Sequence, residues 1–172
     1  MNLFEIMLSR RSIRQYTEEA IPEEKLNRIL QAGLLAPTSR NIKPCQFYVI
    51  RNKETLINLS RAKAVGATML KNCNTAIAVV SDSEKADTWI EDSSIALSFM
   101  MLMAEELEIG CCWCQIHLRS SADGTDAEEA VRSILGVDRH MRIVGILTLG
   151  IPEKRAPAHS LNEISWDKVH FQ

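Results

Sequence analysis

Glycine is scarce in this sequence, with 7 residues among 172, and both common glycine-rich nucleotide motifs are missing. No strand-like run is followed by G-x-G-x-x-G, the dinucleotide fingerprint, and the P-loop pattern G-x-x-x-x-G-K-[ST] does not occur. The usual route to a nucleotide through a glycine loop is therefore absent, and a phosphorylated ligand would have to be held by side chains.

Neither sign of charge dominates, and no apolar run is long. The net charge of −2 and the pI near 6.1 exclude a general attraction to nucleic acid or anionic lipid. The most apolar run, Ile95–Ala104, is too short to span a bilayer. The N-terminal arginines follow the short apolar stretch Leu3–Leu8, which is the reverse of a signal peptide. We expect a cytoplasmic protein with no nucleic-acid or membrane partner.

The 5 cysteines are an odd number, which argues against a disulfide framework and for a reducing compartment. Cys111–Cys114 contains a C-x-x-C pattern, which would fit a redox dithiol or half of a zinc site. A redox dithiol belongs at a helix N-terminus, whereas this segment is predicted to be a buried strand. Cys45 and Cys73 are isolated, so a second zinc-binding pair is missing. We predict buried thiols and no metal.

A single domain over residues 1–172 is predicted, because the chain has no repeat, low-complexity tract or linker. Apolar periodicity predicts helices ending at Ser9, between Pro22 and Pro37, and over 53–64, 87–109 and 125–136, with strands over 46–50, 76–81, 111–116 and 142–149. This alternation favours α/β or α+β layering, and periodicity alone would favour a doubly wound parallel sheet. Gly110 is predicted to cap the long helix, and Thr125 to open a capping box with Glu128.

The predicted long helix is apolar on nearly every face. Between Ile95 and Ala104 only Ser98 is polar, whereas a surface helix of a small monomer keeps a polar stripe. This pattern favours a homodimer with a large apolar interface over a central helix in a monomer. Glu91 and Asp92 lie near the start of the helix, where we expect them to act as caps.

Three arginines, Arg10, Arg11 and Arg14, stand close together with Ser12 between them at a predicted helix-to-loop junction. Guanidinium groups bind phosphate oxygens in a forked geometry, and a serine hydroxyl adds a donor. On these residues alone, a phosphate site and a solvated charged loop are equally good interpretations. Nucleic acid is a third, but no basic footprint extends elsewhere.

A second polar segment, Pro37–Pro44, lies between a helix end and a strand. It carries the hydroxyls of Thr38 and Ser39 and the amide of Asn41, with a proline at each end. Such a loop can position the heteroatoms of a ligand. Taken alone, it is better explained as a connection whose polar side chains satisfy local backbone groups.

Together the two segments resemble the nitroreductase family, whose members bind FMN. The family pattern R-R-S-x-R-x-[FY] matches residues 10–16, and A-P-[ST]-[SA]-x-N-x-[QK]-P-x-x-F matches residues 36–47. The long helix, the Cys-Trp-rich strand, the turn Gly150–Pro152 and residues 167–171 also look like this family. The resemblance covers almost the whole chain. It implies an α+β fold with a mixed central sheet flanked by helices and a long apolar helix at a dimer interface.

The resemblance further implies that two subunits of a homodimer share each FMN. From one subunit the phosphate and ribityl chain would be held by Arg10, Arg11, Ser12 and Arg14, and from the other the flavin would be approached by Pro37, Thr38, Ser39 and Asn41. The isoalloxazine ring would lie near Cys114, Gln115 and Ile116, and phosphate binding would be completed by Lys154 or Arg155. An asparagine that larger members carry before the second strand has no clear match around Gly66–Asn72.

The activity implied is that of an oxidoreductase that takes electrons from NADH or NADPH. It would reduce nitroaromatic, quinone or similar flat acceptors by ping-pong hydride transfer through the flavin, with no catalytic side chain. A specialised flavin-dependent reductase or dehalogenase is one alternative. A non-catalytic FMN-binding redox sensor is another, and a phosphoprotein- or RNA-binding module built on the arginines is a third.

Overall fold

A computed structural model describes all residues from Met1 to Gln172. The helices are α1 Leu3–Ser9, α2 Glu23–Leu35, α3 Lys53–Arg61, α4 Met69–Asn72, α5 Trp89–Glu106 and α6 Ala127–Leu135, and the strands are β1 Cys45–Ile50, β2 Thr75–Asp82, β3 Gly110–Gln115 and β4 Met141–Gly150. None of these helices is both long enough and apolar enough to cross a lipid bilayer.

The four strands form one sheet in the order β1-β2-β4-β3, and every neighbouring pair is antiparallel. The prediction of an α+β fold with helices on a central sheet is confirmed, but the prediction that this sheet is mixed is wrong for this chain. A helix between two strands does not force them to be parallel. Here α3 and α4 together return the chain to the end of the sheet at which β1 finished, so β2 runs back beside it.

The sheet separates two apolar cores, and β2 contributes to both. Its residues alternate between faces, so Ile77 and Val79 pack with α2 and α5, whereas Ala78 and Val80 pack with α3 and α6. All eight residues of β2 are buried. This explains why β2 appears in the sequence as a continuous apolar run without alternation.

The predicted helices and strands are confirmed to within a few residues, with two informative differences. Helix α4 was not predicted, because four residues are too few to show a helical period. The long helix ends at Glu106 with Leu107 as its C-cap, and not at Ile109 with Gly110 as its cap; Glu108 takes the left-handed conformation there, with φ 62°. Gly110 instead begins β3.

The predicted capping box of α6 is also wrong. Asp126 is the N-cap and accepts a hydrogen bond from the backbone N–H of Glu128. The helix ends at Gly136 as predicted, and this glycine has the left-handed conformation. Because the helix starts one residue later than predicted, the Glu128 side chain is free to turn into the protein.

Glu128 is the centre of a buried polar network. Its side chain is 1% exposed and accepts hydrogen bonds from Arg142 Nε at 2.6 Å and from the backbone N–H of Ile143 at 2.9 Å. His117 Nδ1 lies 3.1 Å away and Arg132 Nη1 lies 3.3 Å away. These contacts tie α6 to β4 and to the segment after β3, so removing the carboxylate would leave two arginines without their partner.

We predict that Glu128→Gln lowers the free energy of unfolding by about 3 kcal/mol at neutral pH, because it breaks a buried ion pair from one side. Urea denaturation measures the change. The matched control is Glu129→Gln, which removes the neighbouring exposed carboxylate of the same helix and should change stability by less than about 0.5 kcal/mol. Equal stability of the two variants would contradict the role given to Glu128.

The same network predicts a pH dependence. Burial acts to raise the pKa of Glu128, but hydrogen bonds from Arg142, Ile143 and His117 outweigh it and hold the pKa below its usual value. The stabilisation is therefore present above the unfolded-state pKa of about 4.3 and is lost as the pH falls through the folded-state pKa. The stability difference between the wild type and Glu128→Gln should accordingly shrink in acid.

Candidate functional site

The arginine-rich segment lies as an extended turn across one end of the sheet. The backbone N–H of Ile13 donates to the carbonyl of Cys111 at 2.9 Å, and that of Thr17 donates to Ile151 at 2.9 Å. Residues 12–17, which we call the arginine turn, therefore run between the start of β3 and the chain that leaves β4. Long-range backbone hydrogen bonds at both ends fix its position.

Two glycines allow this close approach. Gly110 and Gly150 face each other directly across β3 and β4. A Cβ at Gly110 would lie 3.0 Å from Cγ2 of Ile13, and a Cβ at Gly150 would lie 2.7 Å from Cδ1 of Tyr16. The glycines thus leave room for the two apolar side chains of the turn to lie flat on the sheet.

The buried hydroxyl of Tyr16 stabilises the arginine turn through hydrogen bonds. Its ring is 6% exposed, its hydroxyl donates to the carbonyl of Ile13, and Thr148 Oγ1 lies 2.7 Å from that hydroxyl. The Thr148 hydroxyl in turn contacts the carbonyl of Cys112 at 3.1 Å. Burial raises the pKa of Tyr16 well above its usual range, so the hydroxyl stays protonated and available as a donor.

Because Ile13 points into the core, Ser12 and Arg14 point outward. They line a cleft of about 350 Å³ together with Lys154 and Arg155. We call this space the arginine cleft. It contains three cationic side chains and a hydroxyl, and no carboxylate lines it.

A second and larger space adjoins the arginine cleft and shares Arg14 and Gln15 with it. This tryptophan cavity has a volume of about 460 Å³ and is lined in addition by Lys63, Gly66, Thr68, Met69, Asn72, Trp113, Gln115 and Arg119. It combines an aromatic ring, three side-chain amides and three cations, again without a carboxylate. The two spaces adjoin at Arg14 and Gln15, and together they form the candidate site.

Several lining residues were not predicted from the sequence. Lys63 follows α3 and Asn72 ends α4, and both line the site because the segment between these helices contacts the end of β3, where Cys114 Sγ donates to the carbonyl of Gly66. The segment Gly66–Asn72 had been noted only as lacking a match to a family asparagine. A search for polar residues in that segment would have found Asn72, but the sequence contains no pattern that indicates Lys63 or Arg119.

Not all of the predicted cationic residues face the cleft. Arg11 Nη1 donates to the carbonyl of Pro157 and so holds the C-terminal segment, and Arg10 lines neither the arginine cleft nor the tryptophan cavity. Arg155 lines the cleft, but its Nη1 lies 3.2 Å from Oε1 of the buried Glu105. Lys154 has no ion-pair partner.

The segment from Pro37 to Asn41 lies elsewhere in the chain and lines neither space. The backbone N–H of Ser39 donates to Asp92 Oδ1 at 2.9 Å, and Thr38 Oγ1 accepts from the backbone N–H of Lys43 at 3.0 Å. Asp92 was predicted to cap its own helix, but its buried carboxylate binds the backbone of this loop.

Two successive residues of that loop, Arg40 and Asn41, have left-handed φ angles of 51° and 55°. Such strain in non-glycine residues persists only where the surroundings hold it, and it is concentrated at functional sites. Within one chain the loop and the arginine turn are not brought together.

At the end of β3 only one of three predicted residues faces the site. Cys114 and Ile116 are buried in the core, and both backbone groups of Ile116 are used, toward Val144 and Arg119. Gln115 lines the tryptophan cavity, and its Oε1 accepts from Trp113 Nε1 at 2.9 Å. Its Nε2 also donates to the carbonyl of His117 at 3.1 Å, so the amide is held in one orientation.

The cysteines of β3 do not form a redox pair. Cys111 packs in the core beside α5, whereas Cys114 packs in the opposite core, because residues three apart in a strand face opposite sides. Burial raises the pKa of Cys111 to about 12 and that of Cys114 to about 11. Both therefore remain thiols near neutral pH. No cluster of His, Cys, Asp or Glu side chains in the structure could hold a metal ion.

The chain is similar to known proteins of one family. The profile described as the nitroreductase family matches residues 7–68 and 57–151, which include both polar segments. A protein of Archaeoglobus fulgidus bearing an NADH dehydrogenase/NAD(P)H nitroreductase name is 31% identical over 170 residues, covering 96% of this chain and 94% of its own.

Solved structures agree over nearly the whole chain. An FMN-dependent nitroreductase from Clostridium difficile R20291 superposes with a TM-score of 0.95 at 38% identity, covering 98% of both chains. A structure from Parabacteroides distasonis ATCC 8503, of a protein named as an NADH dehydrogenase/NAD(P)H nitroreductase, gives a TM-score of 0.90 at 26% identity and covers 99% of this chain and 98% of its own.

The position of the arginine turn should depend on the Tyr16 hydroxyl. We predict that Tyr16→Phe lowers the free energy of unfolding by about 1–2 kcal/mol, because the buried carbonyl of Ile13 and the hydroxyl of Thr148 lose a partner. The matched control is Tyr48→Phe, whose hydroxyl makes only an exposed contact at 3.5 Å and whose removal should cost less than about 0.5 kcal/mol. Thermal or urea unfolding of both variants tests this; equal losses would contradict it.

Proposed function

The chain belongs to the nitroreductase family, and we propose that it is an FMN-dependent oxidoreductase that takes electrons from NADH or NADPH. Its acceptors are flat molecules such as nitroaromatic compounds or quinones. The observation that carries the proposal is the joining of the arginine cleft to the tryptophan cavity through Arg14 and Gln15.

The donor set fits FMN at both ends. A phosphate dianion requires cations and hydroxyl donors and is repelled by carboxylates, and the arginine cleft offers Ser12, Arg14 and Lys154 with no acid. A flavin ring requires a flat apolar surface and hydrogen-bond partners for its polar edge. The tryptophan cavity offers Trp113 together with the amides of Asn72 and Gln115.

Charge pairing favours Lys154 over Arg155 as the residue that completes phosphate binding. Arg155 already faces the buried carboxylate of Glu105 at 3.2 Å, so its charge is partly neutralised. Lys154 lines the same cleft and is unpaired. We assign Arg155, like Arg11, to holding the chain after β4 in place, so that Lys154 is presented to the phosphate.

When bound, FMN would supply the hydride acceptance and the electron delivery to the second substrate, which no side chain here can perform. The protein's part is to bind and orient. Arg14 lines both spaces, so its guanidinium group would place a positive charge beside a bound flavin. Gln115, fixed by Trp113 and His117, presents its amide in a set orientation.

A second copy of the chain would complete the site. Pro37, Thr38, Ser39 and Asn41 do not line the site of their own chain, and we propose that they approach the flavin of a partner subunit in a homodimer. Support comes from α5, where Phe99 is 41% exposed and Ile95 and Leu102 on the same face are half-buried. Apolar side chains are also exposed on α1 and in the last residues, at Leu3, Phe4, Met7, Leu161, Trp166 and Phe171.

The central test is spectroscopic. The purified protein should show the absorbance bands of bound flavin, and NADH or NADPH should bleach them until a quinone is added. Failure to retain or bind added FMN would overturn the proposal. Reduction without repeated turnover on any acceptor would indicate a redox sensor in place of an enzyme.

The arginine cleft gives a residue-level prediction. Arg14→Ala should raise the dissociation constant for FMN by about 10- to 100-fold, as expected for loss of a charged hydrogen bond to phosphate. Fluorescence titration of the apoprotein measures it. Arg139→Ala, which removes an exposed arginine outside the site, should leave the constant unchanged; equal weakening by both variants would exclude a specific contact.

The proposed dimer is tested by light scattering on the purified protein, which should give twice the chain mass of 19.4 kDa. Phe99→Glu should shift the protein toward the monomer and lower its flavin content, since a charge on this face is desolvated on association. Val49→Glu, at a similarly exposed position of β1, should remain dimeric. A wild-type mass of one chain would contradict the shared site.

A further inference from the structure

The tryptophan cavity has more positive charge than the cofactor phosphate accounts for. Arg14, Lys63 and Arg119 line it, and none of the three makes a salt bridge within the chain. The whole chain has a net charge of −2, so this concentration of cations is local. Like charges gathered without counter-charges repel one another, and an anionic ligand relieves that repulsion.

Lys63 and Arg119 approach the cavity from separate elements. Lys63 follows α3. Burial raises the pKa of the Cys114 thiol to about 11, and the positive charge of Lys63 acts in the opposite direction and lowers this pKa. Arg119 follows β3, where its Nη1 donates to the carbonyl of Leu118 at 2.9 Å. Because the Lys63 charge affects Cys114, the Lys63 ammonium group is near the end of β3 that carries Gln115.

The carboxylates that line a pocket together with Arg119 are already engaged. Arg119 also borders a smaller space that contains Asp126 and Glu128. Glu128 is bound by Arg142, Arg132 and His117, and Asp126 accepts the hydrogen bond that caps α6. Neither acid forms an ion pair with Arg119, so its guanidinium group remains available to a ligand.

We propose that Lys63 and Arg119 select acceptors that carry an anionic group, a carboxylate or sulfonate on a flat aromatic ring. The inference rests on the proposed function, which assigns the phosphate to Ser12, Arg14 and Lys154 and leaves these two cations uncommitted. The aromatic part of the acceptor would share the tryptophan cavity with the bound flavin ring, and its anionic group would lie between the lysine and the arginine.

The test compares two acceptors that differ in charge but hardly in shape, para-nitrobenzoate and para-nitrobenzamide. Turnover is measured with the holoprotein at a fixed concentration of electron donor, for wild type, Lys63→Met, Arg119→Met and the double variant. The ratio of kcat/KM for the anion to that for the amide should fall about fivefold in each single variant and about twentyfold in the double variant. Added salt should lower the wild-type ratio and leave that of the double variant nearly constant.

A second readout does not depend on turnover. Calorimetric titration of the oxidised holoprotein with para-nitrobenzoate should give a dissociation constant that rises by similar factors in the variants, whereas Arg139→Met should match the wild type. An unchanged constant, or equal loss with the amide, would overturn the inference. Loss of bound FMN in the variants would also overturn it, by assigning the two cations to the cofactor. Wild-type protein that binds FMN but reduces neither acceptor would refute the proposed enzyme, while the titration would still decide the anion site.

Discussion

The contact between the arginine turn and the paired glycines Gly110 and Gly150 is the constraint on which the candidate site depends. Ile13 and Tyr16 reach the sheet surface only because neither glycine has a side chain. Once these two side chains point inward, the alternation of an extended segment directs Ser12 and Arg14 outward. The charge of the cleft is thus set by an apolar packing contact on its opposite side.

The buried carboxylates of this protein have hydrogen-bond partners, whereas most cations of the candidate site have no acidic partner, and this difference marks the site. The buried carboxylates Asp92, Glu105 and Glu128 are each met by hydrogen-bond donors, as the cost of desolvation requires, and each holds a segment in place. Among the cations of the arginine cleft and the tryptophan cavity, Arg155 alone meets an acid, Glu105, whereas the others form no salt bridge within the chain. A protein that pairs its buried charges but leaves a line of cations open along one groove is arranged for an anionic ligand.

The arginine-rich segment and the segment Pro37–Pro44, which together resemble one family, do not line the same space within a single chain. One lines the cleft, while the other, held by Asp92 and strained at Arg40 and Asn41, does not. The exposed apolar face of α5 supplies the physical reason to expect a second subunit, since apolar area left in water favours association. On this interpretation, cofactor binding and dimer formation are linked, because each subunit contributes only part of the site.

Residue type and spacing alone predicted much of this protein. They indicated the two polar segments, the apolar helix, the continuous apolar run of β2 and the ends of most helices and strands. Tertiary structure decided which of the arginines faces the cleft and that Lys63, Asn72 and Arg119 line the site. It also decided that Glu128 is the centre of a buried polar network and not a cap, and that the sheet is antiparallel. These depend on side-chain direction and on contacts between residues far apart in the chain. The arginine-rich segment itself could be predicted, but only the packing of Ile13 and Tyr16 on two glycines separates Arg14, which lines the cleft, from Arg11, which binds the carbonyl of Pro157.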